Sequence, residues 1–482
     1  MLVKHWCVLN MRVGKTPTIF LPVALLPGAA TWKAFDSYVK LGKEKPLAAK
    51  DTGNKTKLQR NTVQATATIH QTIDHLFRHE SGKITSVLTR LLGFQNLETA
   101  QDIVQDTLLQ AMTTWGYSSV PDNPSGWLHK VAKNKAIDFI RREKRFREIG
   151  PQYAYRLQSE YSLSPTVNNL FLENEIQDSE LRMMFACCHP LIPAESQIAL
   201  TLKTLCGLSI IEIANAFLTN DETITKRIYR AKEKIKAAQI ELNVPGGNEL
   251  QERTDAVLKS LYLLFNEGYN SSNPDNLIRE DLCEEAIRLC HLLTQHSLTR
   301  FPRTYALLSL FCFQSSRLHA RLDDKGHIII LKYQDRSKWN QSLIQKGFDY
   351  LEMAAEPFEV SAWHLEAAIA SIHATSPSFN QTNWISIYHL YELLYQLQPN
   401  PVVAMNKGIA SAYAISKQHA LDELQKINGL DNHHLYFASL GELYLDMKEP
   451  LKAKEQFEKA WRLTTSISEK KFLAEKIGLC DN

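Results

Sequence analysis

The stretch Trp127-Leu128-His129-Lys130-Val131-Ala132-Lys133-Asn134-Lys135-Ala136-Ile137-Asp138-Phe139-Ile140-Arg141-Arg142 reads as one helix with two unlike faces. Leu128, Val131, Ala132, Ile137 and Ile140 recur at helical spacing and form an apolar stripe. The other face is basic: Lys130, Lys133, Lys135, Arg141 and Arg142, continued by Lys144, Arg145 and Arg147. Between 127 and 148 the acids are only Asp138, Glu143 and Glu148, so this charge is not answered locally. Such a face is either a solvated helix end or a surface for nucleic acid. Trp127 either stacks on a base or packs in the core, and taken alone the core reading weighs more. The helix is expected to start at Trp127, because Gly116 to Gly126 has the proline, glycine and asparagine content of a loop.

Upstream, the pattern is helical from Ile69, with a turn at Gly93 and Asn96-Leu97-Glu98. A second helix begins near Glu98 and buries Val104, Leu108, Ala111 and Trp115 on one stripe. Asp102, Gln105 and Asp106 fall on another face as a small acidic patch, which periodicity alone reads as solvated. Downstream, Ser179 to Cys188 is amphipathic, and a helix through Ile198, Leu202 and Leu205 closes at Gly207. Ser209 is placed to cap Ile210 to Phe217, with Glu212 three residues on as in a capping box. The short turn Leu218-Thr219-Asn220 leads into a further helix whose inner face is Ile224, Ile228, Ala231 and Ile235. This is helix–turn–helix punctuation. Thr223, Lys226, Arg227 and Arg230 occupy the first turns, where a recognition helix needs small polar and basic residues. An ordinary helix pair in a bundle shares the pattern; the tight turn, small Ala214 and basic outer face favour DNA.

The remainder bounds these readings. At 482 residues the chain exceeds what one core organises, so two to four domains are expected. A net charge of +3 gives no global argument for nucleic acid, so any basic surface is local. Eight thinly spread cysteines lack zinc-ligand spacing and suit buried, reduced thiols in a cytoplasmic protein; neither metal nor other cofactor is expected. Residues 1–64 are read as a poorly structured extension. Their apolar stretch Ile19 to Leu26 resembles a signal peptide superficially and is too short to span a bilayer, so no membrane association is expected. Arg12-Val13-Gly14-Lys15-Thr16 lacks the upstream glycine of a phosphate loop, since Leu9 occupies its place.

The two helical modules, in this order, resemble regions 2 and 4 of sigma factors of RNA polymerase. Ala100-Gln101-Asp102-Ile103-Val104-Gln105-Asp106 is similar to the family's helix that docks on the largest polymerase subunit. Pro124 to Arg142 is similar to its segment that opens and reads the −10 element, and Leu208 to Ala214 with Thr223 to Ala231 to the helix–turn–helix that reads the −35 element. Met183 to Pro190, Leu261 to Tyr269 and Asp335 to Trp339 resemble the extracytoplasmic-function subgroup that carries a C-terminal helical-repeat domain. The resemblance implies an all-α protein: region 2 at 65–148, a linker at 149–177, region 4 at 178–245 and a tetratricopeptide-like domain at 250–482. It implies core RNA polymerase and promoter DNA as partners. Trp127, Lys130, Lys133, Asn134, Arg141 and Arg142 would serve the −10 element; Thr223, Lys226, Arg227 and Arg230 the −35 element; Asp102, Gln105 and Asp106 the polymerase. No catalytic constellation is found, so the chain is not expected to be an enzyme.

Within the C-terminal half, Phe437, Leu440, Gly441, Tyr444, Ala453, Phe457 and Ala460 match the tetratricopeptide positions, with Thr465 in place of the closing proline. Gly408, Ala420 and Leu424 echo Gly441, Ala453 and Phe457 at an offset of 33 residues. Such arrays present concave surfaces for proteins or small ligands, or serve as scaffold alone. Asn266 to Tyr269 and Asp335 to Trp339 are read as an interface with the sigma-like modules in preference to a ligand site. The competing reading of the whole chain is a helix–turn–helix regulator that binds DNA without polymerase and uses the repeats to hold other proteins.

Overall fold

α1 (residues 76–92), α2 (Leu97–Tyr117) and α3 (Pro124–Glu143) pack around one core in the computed structural model. The structure describes residues 76–117, 120–143, 160–217, 219–271, 277–324, 326–355 and 360–481. The extension at 1–64 lies outside them, as do Lys144, Arg145 and Arg147. Ile84, Leu88 and Leu91 of α1 meet Val104, Ala111 and Trp115 of α2 and Leu128, Ala132 and Ile140 of α3, the stripes expected from spacing. Gly93, at φ +92°, supplies the left-handed turn between α1 and α2.

α3 starts at Pro124, not Trp127, because proline's fixed φ suits a first helical turn and the Asn123 side chain accepts the Gly126 N–H at 2.9 Å. The segment expected as a linker, 149–177, carries α4 (Glu160–Leu170) and the start of α5 (Glu173–Cys187). Leu163, Val167 and Leu170 of α4 and Ile176 of α5 close the same core as α1–α3.

α5 and α6 (Ala194–Thr204) lead to the helix–turn–helix pair α7 (Ile210–Ala216) and α8 (Asp221–Ala238). The capping box forms as read: Ser209 Oγ accepts the Glu212 N–H at 3.2 Å, and Glu212 Oε2 accepts the Ser209 N–H at 2.6 Å. Asn220 caps α8 through the Thr223 N–H at 2.8 Å. The rest is helical hairpins: α9 (Gly247–Tyr269), α10 (Glu280–Gln295), α11 (Pro302–Ser315), α12 (Gln341–Ala354), α13 (Ala362–Thr375) and α14 (Trp384–Leu397). They are followed by α15 (Pro401–Ala414), α16 (Lys417–Leu424), α17 (His434–Asp446), α18 (Pro450–Leu463) and α19 (Ile467–Leu479). Among the described residues the one β feature is a bridge between Leu322 and Ile328.

The boundary expected near residue 250 is a chain feature and not a core boundary. Ile213, Ile224 and Ile228 of the helix–turn–helix share one hydrophobic cluster with Val257, Leu261 and Phe311. A separate cluster, including Met405, Leu424, Leu440 and Phe457, holds α15–α19 together. The described cysteines are buried free thiols, and burial raises that of Cys187 to about 12, which leaves it inert.

Small residues decide where hairpins close. A Cβ at Gly441 would fall 2.6 Å from the Phe457 ring, and one at Gly408 would fall 2.9 Å from Leu424. The two contacts are the same contact one repeat apart. Gly441→Val is therefore expected to lower stability by about 1–3 kcal/mol through overpacking. Gly478→Ala, where a Cβ meets nothing within 4 Å, is expected to raise it by about 0.5–1 kcal/mol. Urea unfolding of the two variants beside the parent checks the opposite signs.

Candidate nucleic-acid interface

On α3, Trp127, Lys130, Asn134 and Arg141 stand at i, i+3, i+7 and i+14, which places them on a single helix face away from the buried stripe. Lys130, Asn134, Arg141 and Arg142 are exposed. Trp127 is half-buried, its ring edge-on to Trp115 at 5.4 Å, so it packs on the core with an open side. Lys133 is half-buried and lies 5.9 Å over the Phe171 ring of the α4–α5 turn. The face is thus basic, with one fixed aromatic at its amino-terminal end. That composition suits backbone phosphates and an unstacked base.

α2 presents a different surface. Asp102, Gln105 and Asp106 are exposed, as expected, and the same helix also exposes Leu109 and Met112, each at 61%. An acidic patch bordered by bare apolar side chains has the make-up of a protein-docking surface. The apolar part was not read from the sequence, because Leu109 and Met112 sit off the buried stripe by one position each.

On α8, Lys226 and Arg230 are exposed and Thr223 is half-buried, again at i, i+3 and i+7. Lys226 is partly answered by Glu222 at 2.7 Å. Arg227 departs from the expected arrangement. It turns back to pair with Glu195 of α6 and lies 5.4 Å over the Phe217 ring, so it braces the helix pair. Tyr229, exposed at 61%, stands beside Lys226 and Arg230 and was missed because an aromatic there fits neither the apolar nor the basic pattern.

The modules are locked to each other and to the hairpins behind them. Glu212 Oε1 accepts from Arg78 Nη1 of α1 at 3.2 Å and from Arg279, which precedes α10. Asp281 completes this clasp, 3.0 Å from Arg279 and 3.8 Å from Arg78. Burial works against the Glu212 charge, but the two arginines and the Ser209 N–H outweigh it and hold the carboxyl at about 2. Lys232 and Lys236 of α8 reach Glu98 of α2 at 3.5 and 3.0 Å. Arg90 of α1 bonds Glu175 and Asp178 of α5, each at 2.9 Å. A Cβ at Gly82 would collide with the backbone carbonyl of Leu205, so α1 lies directly on the α6–α7 connection.

Inside the first module, Glu80 is buried with His129 at 2.6 Å, His79 at 3.2 Å and Lys83 at 3.4 Å. Burial would raise its pKa; the hydrogen bonds from His129 and His79 and the Lys83 charge prevail and hold the carboxyl well below the usual range. Because His129 also touches the Phe171 ring at 5.6 Å, the same group fixes α3 against α1 and α4.

The sigma-70 region 2 family model matches residues 76–146, and a family of unknown function (DUF6596) matches residues 253–355. The ECF RNA polymerase sigma factor SigE of Mycolicibacterium smegmatis is 27% identical over 165 residues, 34% of this chain, which spans 60% of SigE. The ECF RNA polymerase sigma factor SigW of Bacillus subtilis is 26% identical over 163 residues, 32% of this chain and 81% of SigW. No solved structure matches. The region 2 match and these relatives, which share about a third of this chain, support a protein of the sigma-70 family. Within it, the chain belongs to the same family as the uncharacterized protein R00370 of Rhizobium meliloti, 32% identical over 383 residues, 79% of this chain and 89% of that protein.

A buried carboxylate whose pKa falls on folding stabilises above its unfolded value near 4.5, and the contribution is lost as pH drops. Glu80→Gln is therefore expected to cost about 2–4 kcal/mol at neutral pH. The gap to the parent should narrow below about pH 4.5. Urea unfolding followed across pH measures both; a gap independent of pH would show that the Glu80 charge contributes nothing.

Proposed function

We propose that this chain is an extracytoplasmic-function sigma factor that binds core RNA polymerase and directs promoter-specific initiation. The observation that carries the reading is α1–α3: a basic face with a fixed aromatic on α3 and an acidic, apolar-edged face on α2, in the segment that matches sigma-70 region 2. Asp102, Gln105 and Asp106, with Leu109 and Met112, meet the polymerase. Trp127, Lys130, Lys133, Asn134, Arg141 and Arg142 hold the −10 strand as it opens, where stacking and phosphate contacts offset the cost of unpairing. Thr223, Lys226 and Arg230, with Tyr229, read the −35 duplex in the major groove. The tetratricopeptide-like hairpins after residue 250 control access to these surfaces, in place of a separate inhibitory protein.

The spacing of the two promoter elements supports the control. The two promoter elements lie about 25 base pairs apart, roughly 85 Å at ~3.4 Å per step. In the structure α8 touches α2 through Lys236 and Glu98 at 3.0 Å. Contact between the modules holds the two reading faces together, so in this reading the clasped form is the resting form and the modules part on initiation. The Arg78–Glu212–Arg279–Asp281 clasp is the element that must yield.

The test is co-purification with core polymerase followed by run-off transcription. Binding of duplex DNA without binding of core would favour the regulator that works without polymerase. Arg230→Ala should weaken promoter binding and lower its salt slope by about one. For the clasp, the full chain is needed, since removal of residues 250–482 would strip the core shared with α7 and α8. Arg279→Ala is expected to raise run-off product about threefold with core binding intact, a change of under ~1 kcal/mol in the closed state. An unchanged or lower yield from a folded variant would overturn the control role.

A further inference from the structure

The helices α9, α11, α13, α14, α15 and α17 enclose a cavity of about 380 Å³, within the size range of ligand pockets, roughly 300–1,000 Å³. One wall is aromatic: Trp384 and Tyr413 are stacked at 4.6 Å, with Phe379 4.9 Å from Trp384. Tyr262 and Tyr391 line it further in. The other wall carries Arg317 and Arg321, with Arg336 close behind. Arg321 is buried, its guanidinium 3.8 Å over the Tyr269 ring and bonded to the Tyr269 carbonyl. Arg317 lies 5.6 Å and Arg336 5.1 Å from the Trp339 ring. Arg336 donates to the His373 and Ser376 carbonyls at 2.6 and 2.7 Å.

None of these three guanidiniums is ion-paired with a carboxylate among the described residues. The carboxylates that line the cavity are otherwise engaged. Asp446 is held by Lys332 at 3.2 Å and Glu442 by Lys476 at 2.7 Å. Glu366 lies deep, where burial raises its pKa to about 8 against the pull of the Tyr262 hydroxyl, 3.1 Å away. Its residual accessible surface is that of a cavity lining. At neutral pH it is mainly a neutral O–H donor. His373 is kept neutral by burial and by Arg317 and Arg336. Glu366 Oε1, His373 Nδ1 and Asn406 Oδ1 have no hydrogen-bond partner among the described residues. The cavity therefore combines unanswered positive charge, unpaired hydrogen-bonding atoms and an aromatic wall.

We propose that this cavity binds a small organic anion, its carboxylate or phosphate on Arg317 and Arg321 and its aromatic or apolar body against Trp384 and Tyr413. Guanidiniums fit such groups through paired N–H donors, and the low dielectric strengthens the contact. Glu366, His373 and Asn406 bond the polar substituents of the body. The proposal is independent of the sigma-factor reading, because it concerns binding alone.

The test uses the full chain and anilinonaphthalene sulfonate, an aromatic anion whose fluorescence rises on transfer to an apolar site. Saturable binding at about one site per chain is expected. Indoleacetate should displace the probe at least about tenfold better than indoleacetamide, which has the same body without the charge. Arg317→Gln should weaken the probe and indoleacetate about tenfold and leave the weak binding of indoleacetamide unchanged. Ala370→Phe, which fills the cavity without altering charge, should abolish binding of all three. Equal displacement by acetate and amide would overturn the proposal, as would probe binding that Ala370→Phe leaves intact. The acetate–amide comparison on the parent chain decides the matter even if a variant does not fold.

Discussion

The Glu212 carboxylate serves two purposes with its two oxygens. One closes the capping box that starts the first helix of the helix–turn–helix; the other receives Arg78 and Arg279 from two other parts of the chain. A capping glutamate is ordinarily a local device that stabilises its own helix by about 1 kcal/mol. Here the same group also makes the helix a point of assembly. The arrangement carries a cost, because a half-buried cluster of two cations and two anions must be desolvated, and such clusters contribute more to specificity than to stability. Loss of one partner would leave the other charges unanswered. That is the property expected of a joint meant to be either fully formed or released.

α10 extends this joint. Glu285 of α10 stands 3.6 Å from His79 of α1, and Arg288 binds Glu180 of α5 at 2.6 Å. The helix thus touches both sigma-like modules through charged groups while its Leu282, Ala286 and Leu289 join the shared apolar core. The end of the preceding hairpin feeds into the same place. The Gly268 carbonyl accepts the Arg279 N–H at 2.7 Å, and the neighbouring Tyr269 carbonyl accepts from Arg321 in the cavity wall. Cavity and clasp are therefore joined by two adjacent peptide groups at the end of α9. A glycine is required there: a Cβ at position 268 would lie 2.7 Å from both the Arg279 carbonyl and the Cys283 nitrogen.

The helices were legible because their information is local. The stripes of α2, α3 and α8, the capping box at Ser209 and the repeat offset from Gly408 to Gly441 all depend on spacing within a few turns or one repeat. The α4 helix was not legible as core, since Leu163, Val167 and Leu170 find their partners in α1–α3. Arg227 was assigned by its position in a basic helix, yet Phe217 and Glu195 draw it inward; its sequence neighbours carry no trace of that competition. The Arg78–Glu212 contact joins groups 134 residues apart, beyond any periodic signal. Glu366 is the nearest to a missed clue: a lone carboxylate in the apolar run Ala362-Trp363-His364-Leu365-Glu366-Ala367-Ala368-Ile369-Ala370.

Two ways of burying arginine within one molecule bear on what its cavity is for. At the seam, Arg78 and Arg279 face Glu212 and Asp281, and Arg288 faces Glu180 and Glu285. Each cation there is answered by an acid of the same chain, as buried charges in a structural joint require. In the cavity wall, Arg321 and Arg336 are held by carbonyl oxygens and aromatic faces, which satisfy N–H groups but leave the charge standing. Burial and mutual repulsion lower their pKa values and would disfavour such a cluster if stability were its only purpose. The seam has acids to spare, and among the described residues none is ion-paired with these guanidiniums. An anion supplied from outside would complete the wall in the way that Glu212 completes the clasp.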